Sequence, residues 1–311
     1  MTTHATPDPR DGLLLPGLDG TNPLGFLAAL GVLYLGTTPN FPMPMHWERA
    51  GATWRPRLTN GPTGIKSLVQ HLRTRFANIG LGLWNLDNRL PFQADRLREE
   101  MINAISEASP KARYHTDMLS ALGVPSVMDD TGCFRDTALR MVRSGDSAGN
   151  GLLAYARRIL EETTDDNLES ALADSWKHED ENCALRWDPA EHHGYAHQWT
   201  NPSKERTVSV RGGNWLALAA MSLLTTISEC CEVGTIAFGR PDGKRQCLTW
   251  PIWTRPVSLN VVRSLLTLSA LHQANPKTTD LERLGIGAIY RCDRIMTSTY
   301  YRNFTPAQRI A

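Results

Sequence analysis

The stretch LPGLDGTNPLGFLAALGVLYLG, residues 15–36, decides how this chain is built. Turn-forming residues run straight into a helix that is apolar almost all the way round. Asn22 is placed to cap that helix, because its side-chain oxygen accepts from a free N–H of the first turn. Pro23 follows at the first helical position, where its missing N–H costs nothing and its fixed φ suits the helix. Leu24, Phe26, Leu27, Leu30, Val32, Leu33 and Leu35 leave no polar stripe, the mark of a core helix or a membrane helix. The run Leu24 to Leu35 is 12 residues, whereas a membrane span needs about 20, so the reading is a buried core helix. Gly25 and Gly31 are poor helix formers, and each is read as a place where a neighbour comes close. Asp19 and Gly20 form a tight turn ahead of the cap. Free N–H groups at such a start can hold an anion such as phosphate, so Asn22 stands as a capping residue or as a nucleic-acid contact.

Outward from that helix, 311 residues are long for one domain and predict two, or one elaborated one. The N-terminal MTTHATPDPRD is polar and contains proline, and it reads as a disordered tail without a secretory signal. The six cysteines, Cys133, Cys183, Cys230, Cys231, Cys247 and Cys292, form no CxxC pair. They read as reduced thiols in a cytoplasmic protein. No apolar run reaches membrane length.

Segment by segment, MHWERAGATWRPRLT reads as two strands around Ala50-Gly51, with β-prone Trp47 and Trp54 on either side. Residues 64–176 read as mainly helical, including TGIKSLVQHLRTRFANIG, QADRLREEMINAISEAS, ARYHTDMLSALG, CFRDTALRMVRSG, NGLLAYARRILEETT and DNLESALADSW. From Arg186 the texture changes. LRWDPAEHHGYAHQW and TVSVRG read as strands, and GNWLALAAMSLLTTI as a second apolar helix. TIAFG and QCLTWPIWT read as strands around RPDGKR, SLNVVRSLLTL as a helix, and GIGAIYRCDRI as a final strand. The expected class is α+β, with mixed strand–helix segments at both ends and a mainly helical insert. The expected division is a disordered tail over 1–12, an N-terminal α+β part over 13–84, the insert over 85–182, and a basic C-terminal α+β part over 183–311. Two helices apolar all round also predict that the chain needs partner subunits to cover them.

The net charge of +1 hides an asymmetry. Residues 101–200 hold 9 Lys and Arg against 17 Asp and Glu, a net of −8, and residues 201–311 hold 14 against 7, a net of +7. A basic region is the electrostatic footprint of nucleic-acid contact, although it also suits an acidic protein partner. Within it, Lys204 and Arg206 lie in NPSKERT. Arg211 and Asn214 lie in a turn leading into the second apolar helix, with the same phosphate-holding logic as the first. Arg240, Lys244 and Arg245 crowd the hairpin loop GRPDGKRQ, followed by Trp250, Trp253 and Arg255. Trp250 is read as core, whereas basic loops beside exposed aromatics suit phosphate contact and base stacking. Arg291 and Arg294 lie on the last strand.

Catalytic patterns are weaker. His192, His193 and His197 in AEHHGYAHQW lack the glutamate placement of a zinc protease and read as a metal-free cluster. Asp129 and Asp130 read as an acidic turn, since a two-metal nuclease needs further carboxylates at workable spacing. Cys230 and Cys231 follow an apolar helix and read as buried thiols. GxxxxGK[ST], GxSxG and GxGxxG are all read as absent, which leaves nucleotide hydrolysis and the common hydrolase elbow without their usual signatures.

The opening LPGLDGTNPLGFLAALGVLYL, then LRWDPAEHHGYAHQW, SVRGGNWLALAAMSLL, and WPIWTRPVSLNVVRSLL ending in GIGAIYRCDRI, stand in a distinctive order. In that order the chain resembles a subunit of the type I-G (formerly I-U) CRISPR Cascade effector, of the large-subunit kind. The resemblance covers both ends and leaves residues 85–180 uncovered. The family carries basic residues just after WDP, where this chain has Glu191, His192 and His193. The resemblance implies a non-enzymatic, cofactor-free role in antiviral defence, at the end of a ribonucleoprotein built on CRISPR RNA. Such a subunit helps recognise the motif beside the target DNA, opens the duplex, touches other Cascade subunits and docks a helicase-nuclease. It implies no membrane partner. The competing readings are a metal-dependent accessory nuclease using Asp129, Asp130 and the histidines, and a structural bridge without nucleic-acid contact.

Overall fold

The computed structural model describes residues 12–79, 82–109, 113–143, 149–181, 184–191, 208–230, 232–297 and 301–311. Its first helix, α1 (Pro23–Gly36), starts as the sequence predicts: Asn22 Oδ1 accepts from the N–H groups of Leu24 and Gly25 at 2.8 and 3.3 Å. Every residue of α1 is buried. Ahead of it, β1 (Leu13–Leu14) joins β3 (Thr53–Leu58), which pairs in turn with β2 (Met45–Ala50) in an antiparallel sheet of order β1-β3-β2. Gly51 makes the β2–β3 turn at a φ of 62°.

The middle of the chain supplies α2 (Ile65–Ile79), α3 (Ala94–Glu107), α4 (Tyr114–Leu122), the hairpin β4 (Gly123–Met128) and β5 (Phe134–Asp136), α5 (Leu152–Glu162) and α6 (Asp165–Ala173). Next, β6 (Asp180–Glu181) pairs with β7 (Val208–Ser209) ahead of α7 (Arg211–Ala220). A hairpin of β8 (Thr226–Glu229) and β9 (Glu232–Thr235) follows. The last elements are β10 (Phe238–Gly239), β11 (Cys247–Trp253), α8 (Leu259–Leu266), α9 (Thr278–Arg283), β12 (Ile286–Met296), β13 (Arg302–Phe304) and β14 (Gln308–Arg309). They build the sheet β10-β11-β12-β13, with β14 also on β12. The class is mixed α+β with several small antiparallel sheets. Pro251 is tolerated inside β11 because β10 covers only Cys247 and Leu248, which leaves that edge open at the proline.

The two apolar helices cover each other. A Cβ at Gly31 of α1 would lie 1.8 Å from the carbonyl oxygen of Leu216 in α7, so glycine alone lets the backbones meet there. Gly212 does the same for α7 and α6, with the Asn167 carbonyl oxygen 2.2 Å from a Cβ position. All of α7 from Gly212 to Ala220 is buried. The chain therefore covers both helices by itself, and the expectation that they need partner subunits for cover falls.

One hydrophobic core draws on the start, middle and end of the chain, from Leu15 through Phe134 and Leu172 to Phe304. Its centre is aromatic: Phe26 of α1 stacks on Trp47 of β2 and Trp250 of β11, with ring centroids 6.0 and 5.5 Å away. Trp250 Nε1 donates to the Gly20 carbonyl at 2.9 Å and Trp253 Nε1 to that of Met45 at 2.7 Å. The C-terminal sheet thereby pins the opening turn.

Three segments depart from their sequence readings. Residues 133–143 are not helical. After β5 the chain is irregular, and its backbone groups bond outward: Ala138 N–H to Thr235 Oγ1, and Arg302 N–H to the Met141 carbonyl. The apolar residues that mimicked a helical face, Phe134, Leu139, Met141 and Val142, are buried against distant elements. Arg186–Glu191 is a tight turn closed by a 3-10 segment, Pro189–Glu191, with Arg186 at a φ of 60°, and not a strand. The second apolar helix stops at Ala220, and Thr226 begins a strand.

Candidate nucleic-acid interface

The loop between β10 and β11 is a formed turn. Asp242 Oδ1 accepts from the N–H groups of both Lys244 and Arg245 at 2.9 Å, and these bonds hold its carboxyl below the usual range. Gly243 takes a φ of 71°, and its N–H bonds the Arg240 carbonyl at 2.9 Å. On this frame the side chains of Arg240 and Arg245 are 54% and 69% exposed, and Lys244 is exposed too. Arg240 lies 3.8 Å from Glu232 and Arg245 lies 3.0 Å from Asp293. Exposed pairs of this kind hold loosely and exchange readily for another anion.

The remaining cations divide. Arg291 uses its guanidinium on Thr249 Oγ1 and on the carbonyls of Leu271, Gln273 and Ala274, so it clamps its own chain. Arg294 is half-buried and donates to Gln246 Oε1 and the Arg140 carbonyl. Arg255 is exposed but sits beyond the far end of β11 from the hairpin loop. Trp250 and Trp253 are wholly core, which removes them as stacking platforms.

Both helix starts have partners within the chain: the Asn22 side chain caps α1, and an Asp180 carboxylate meets the first residue of α7. Asn22 Nδ2 donates to Asp188 Oδ1 at 3.1 Å. The Arg211 N–H donates to Asp180 Oδ2 at 2.8 Å, and its guanidinium lies 3.5 Å from Glu162. Asn214 is 0% exposed and so reaches no nucleic acid in this fold. Asn22 and Arg211 are thus engaged within the chain, and Asn214 is buried. Lys204, Arg206, His192, His193, His197 and Cys231 lie outside the described residues.

The sequence reading missed Arg140, Arg143 and Arg302. Arg140 and Arg143 reach Asp136 at 3.0 and 3.3 Å. The charges acting on Arg294 are Arg143, Arg302, Asp136 and Arg140. Burial, then repulsion by Arg143 and Arg302, pushes the Arg294 pKa down to about 10 against the opposing pull of Asp136. The Arg294 N–H bonds the Gln246 carbonyl at 2.8 Å, which sets this cluster against the base of the hairpin loop. No linear signal revealed it, because Arg140 and Arg143 belong to the acidic third of the chain.

The WDP segment makes a buried polar nest. Asp188 accepts from the Ala190 N–H and pairs with His178 at 2.9 Å, which raises the His178 pKa. Glu191 Oε2 accepts from the Arg186 N–H at 2.6 Å, and burial followed by Asp188 pushes its pKa up to about 8. Asp129 closes an Asx turn on Thr131 and Cys133, in keeping with the acidic-turn reading. Cys230 is exposed at a hairpin, not buried. Among the described residues no three His, Cys, Asp or Glu side chains gather as metal ligands. Residues 145–149, GDSAG, do match the GxSxG pattern, which corrects the reading that none is present, and all but Gly149 lie outside the described residues. The chain before them, 137–143, is irregular apart from a single bridging residue, where a nucleophile elbow has a strand. Among the described residues no helix is long and apolar enough to cross a membrane.

No protein-family model matches the chain, and no curated protein matches it in sequence.

Proposed function

We propose that the chain is a non-catalytic, cytoplasmic subunit of a CRISPR RNA-guided surveillance complex of the Cascade type, large-subunit-like and of type I-G. In that role it contacts guide RNA or target DNA, helps recognise the motif beside the target and open the duplex, and meets the other subunits and a recruited helicase-nuclease. The observation that supports this most is the hairpin loop. Three cations, Arg240, Lys244 and Arg245, stand exposed on one hydrogen-bonded turn at the basic end of the C-terminal sheet. Cations presented together on a hydrogen-bonded turn suit phosphate contacts, which position a nucleic acid without encoding its sequence.

The test is the triple replacement of Arg240, Lys244 and Arg245 by Ala in the assembled complex. Folding stays nearly unchanged, since exposed pairs contribute only about 0–1 kcal/mol each. Target DNA affinity falls, and the log–log salt slope shrinks by about 0.9 for each lost contact on duplex. Unchanged affinity with an unchanged slope would contradict the reading.

A further inference from the structure

Beside the hairpin loop, four arginines from three stretches of chain gather around Asp136, two of them paired with it and two within its electrostatic reach. Arg140 and Arg143 follow β5, Arg294 lies on β12, and Arg302 opens β13. Asp136 pairs with Arg140 Nη1 at 3.0 Å and with Arg143 Nη2 at 3.3 Å. Two further donors, the Nε atoms of Arg143 and Arg294, are buried and meet no acceptor among the described residues. A buried N–H of a charged group gains from an acceptor, and an anion is the strongest acceptor a guanidinium can take. The Arg143 side chain is 34% exposed, so solvent reaches the cluster through Arg143, while Arg140 and Asp136 lie beneath it.

We propose that the cluster centred on Arg143 and Arg294 is a phosphate-binding site. Guanidinium groups present forked donors that match phosphate oxygens two at a time. An incoming anion relieves the repulsion that Arg143 and Arg302 exert on Arg294. Asp136 holds two of the arginines in place and competes with the anion for them. The site adjoins Gln246, so a strand whose backbone follows Arg240, Lys244 and Arg245 reaches it without a break. The phosphate reading stands by itself; only its source, a polynucleotide backbone, rests on the function proposed above.

The test is thermal unfolding of the full chain in inorganic phosphate against chloride at matched ionic strength, for wild type, Arg143→Gln and Asp136→Asn. Phosphate raises the wild-type Tm through linkage. Arg143→Gln loses most of that rise. Asp136→Asn, relieved of its competing carboxylate, shows a larger rise. An equal rise in wild type and Arg143→Gln overturns the site, even if Asp136→Asn does not fold.

A second arm measures binding of a short RNA and a short DNA duplex, both lacking terminal phosphates. Arg143→Gln weakens binding about tenfold, and inorganic phosphate competes. Loss of the phosphate response with wild-type oligonucleotide affinity overturns the backbone as the source and leaves a free-phosphate site. Oligonucleotide binding lost in the hairpin triple variant, with Arg143→Gln normal in both arms, overturns this inference and leaves the proposed function standing.

Discussion

At Gly31 a Cβ would sit 1.8 Å from a backbone oxygen, and backbone cannot turn aside as a side chain does. Alanine is the better helix former by about 1 kcal/mol, yet overpacking of this kind costs about 1–3 kcal/mol or more. Gly31→Ala therefore lowers stability, read as a smaller urea midpoint; an unchanged or higher midpoint would show that α1 and α7 are not in contact there. Glu191 makes a different prediction. Folded, it keeps its proton to about pH 8, whereas an ordinary glutamate ionises near 4.5. Its stabilising contribution is complete below about pH 4.5 and is lost as pH rises to about 8, with a slope of about 1.4 kcal/mol per pH unit. His178, also raised, adds a loss of the same sign above its ordinary value. Glu191→Gln removes the first part and flattens urea midpoints measured from pH 5 to 8; an undiminished slope would rule Glu191 out as its source. The residues read correctly, Asn22 as cap and Gly31 as a close approach, answer to rules that act within one helix. Asn214 looked like another such start, but α6 and Asp180 enclose the first turn of α7, and nothing local announces that.

Elements were legible where their own periodicity carried them. The β2–β3 hairpin, α1, α8 and the long strand β12 stand where alternation or helical spacing placed them, and the second apolar helix does so over its first half. The misread segment at 133–143 has its leucine, methionine and valine at near-helical spacing, but each meets a different neighbour. The Leu139 carbonyl takes Trp187 Nε1 at 2.8 Å, and Met141 receives the Arg302 N–H. Tertiary partners replace the internal bonds of a helix, so propensity loses to packing. The hairpin loop was legible as a turn with three cations. Its hydrogen-bonded frame was not, because it depends on Asp242 accepting two N–H groups at once. Since those bonds run to the backbone, replacing the cations leaves the turn intact. That separates a loss of binding from a loss of fold in the triple variant.

Across the whole molecule, charge read along the chain misled where charge read in space does not. Arg140 and Arg143 come from the segment of net −8, yet they join Arg294 and Arg302 of the +7 segment at one end of the sheet. The core is likewise shared, with the middle of the chain supplying Leu122, Phe134 and Leu172 to the cluster that holds Phe26 and Trp250. Because the chain covers α1 and α7 itself, any partner it has is recruited through its surface. The most direct measurement is isolation of the tagged protein from its own cells under gentle conditions, with sequencing of any bound nucleic acid. The account predicts a uniform short RNA and a fixed set of partner subunits, released together at high salt. A chain that emerges alone, free of RNA and indifferent to salt, would contradict it.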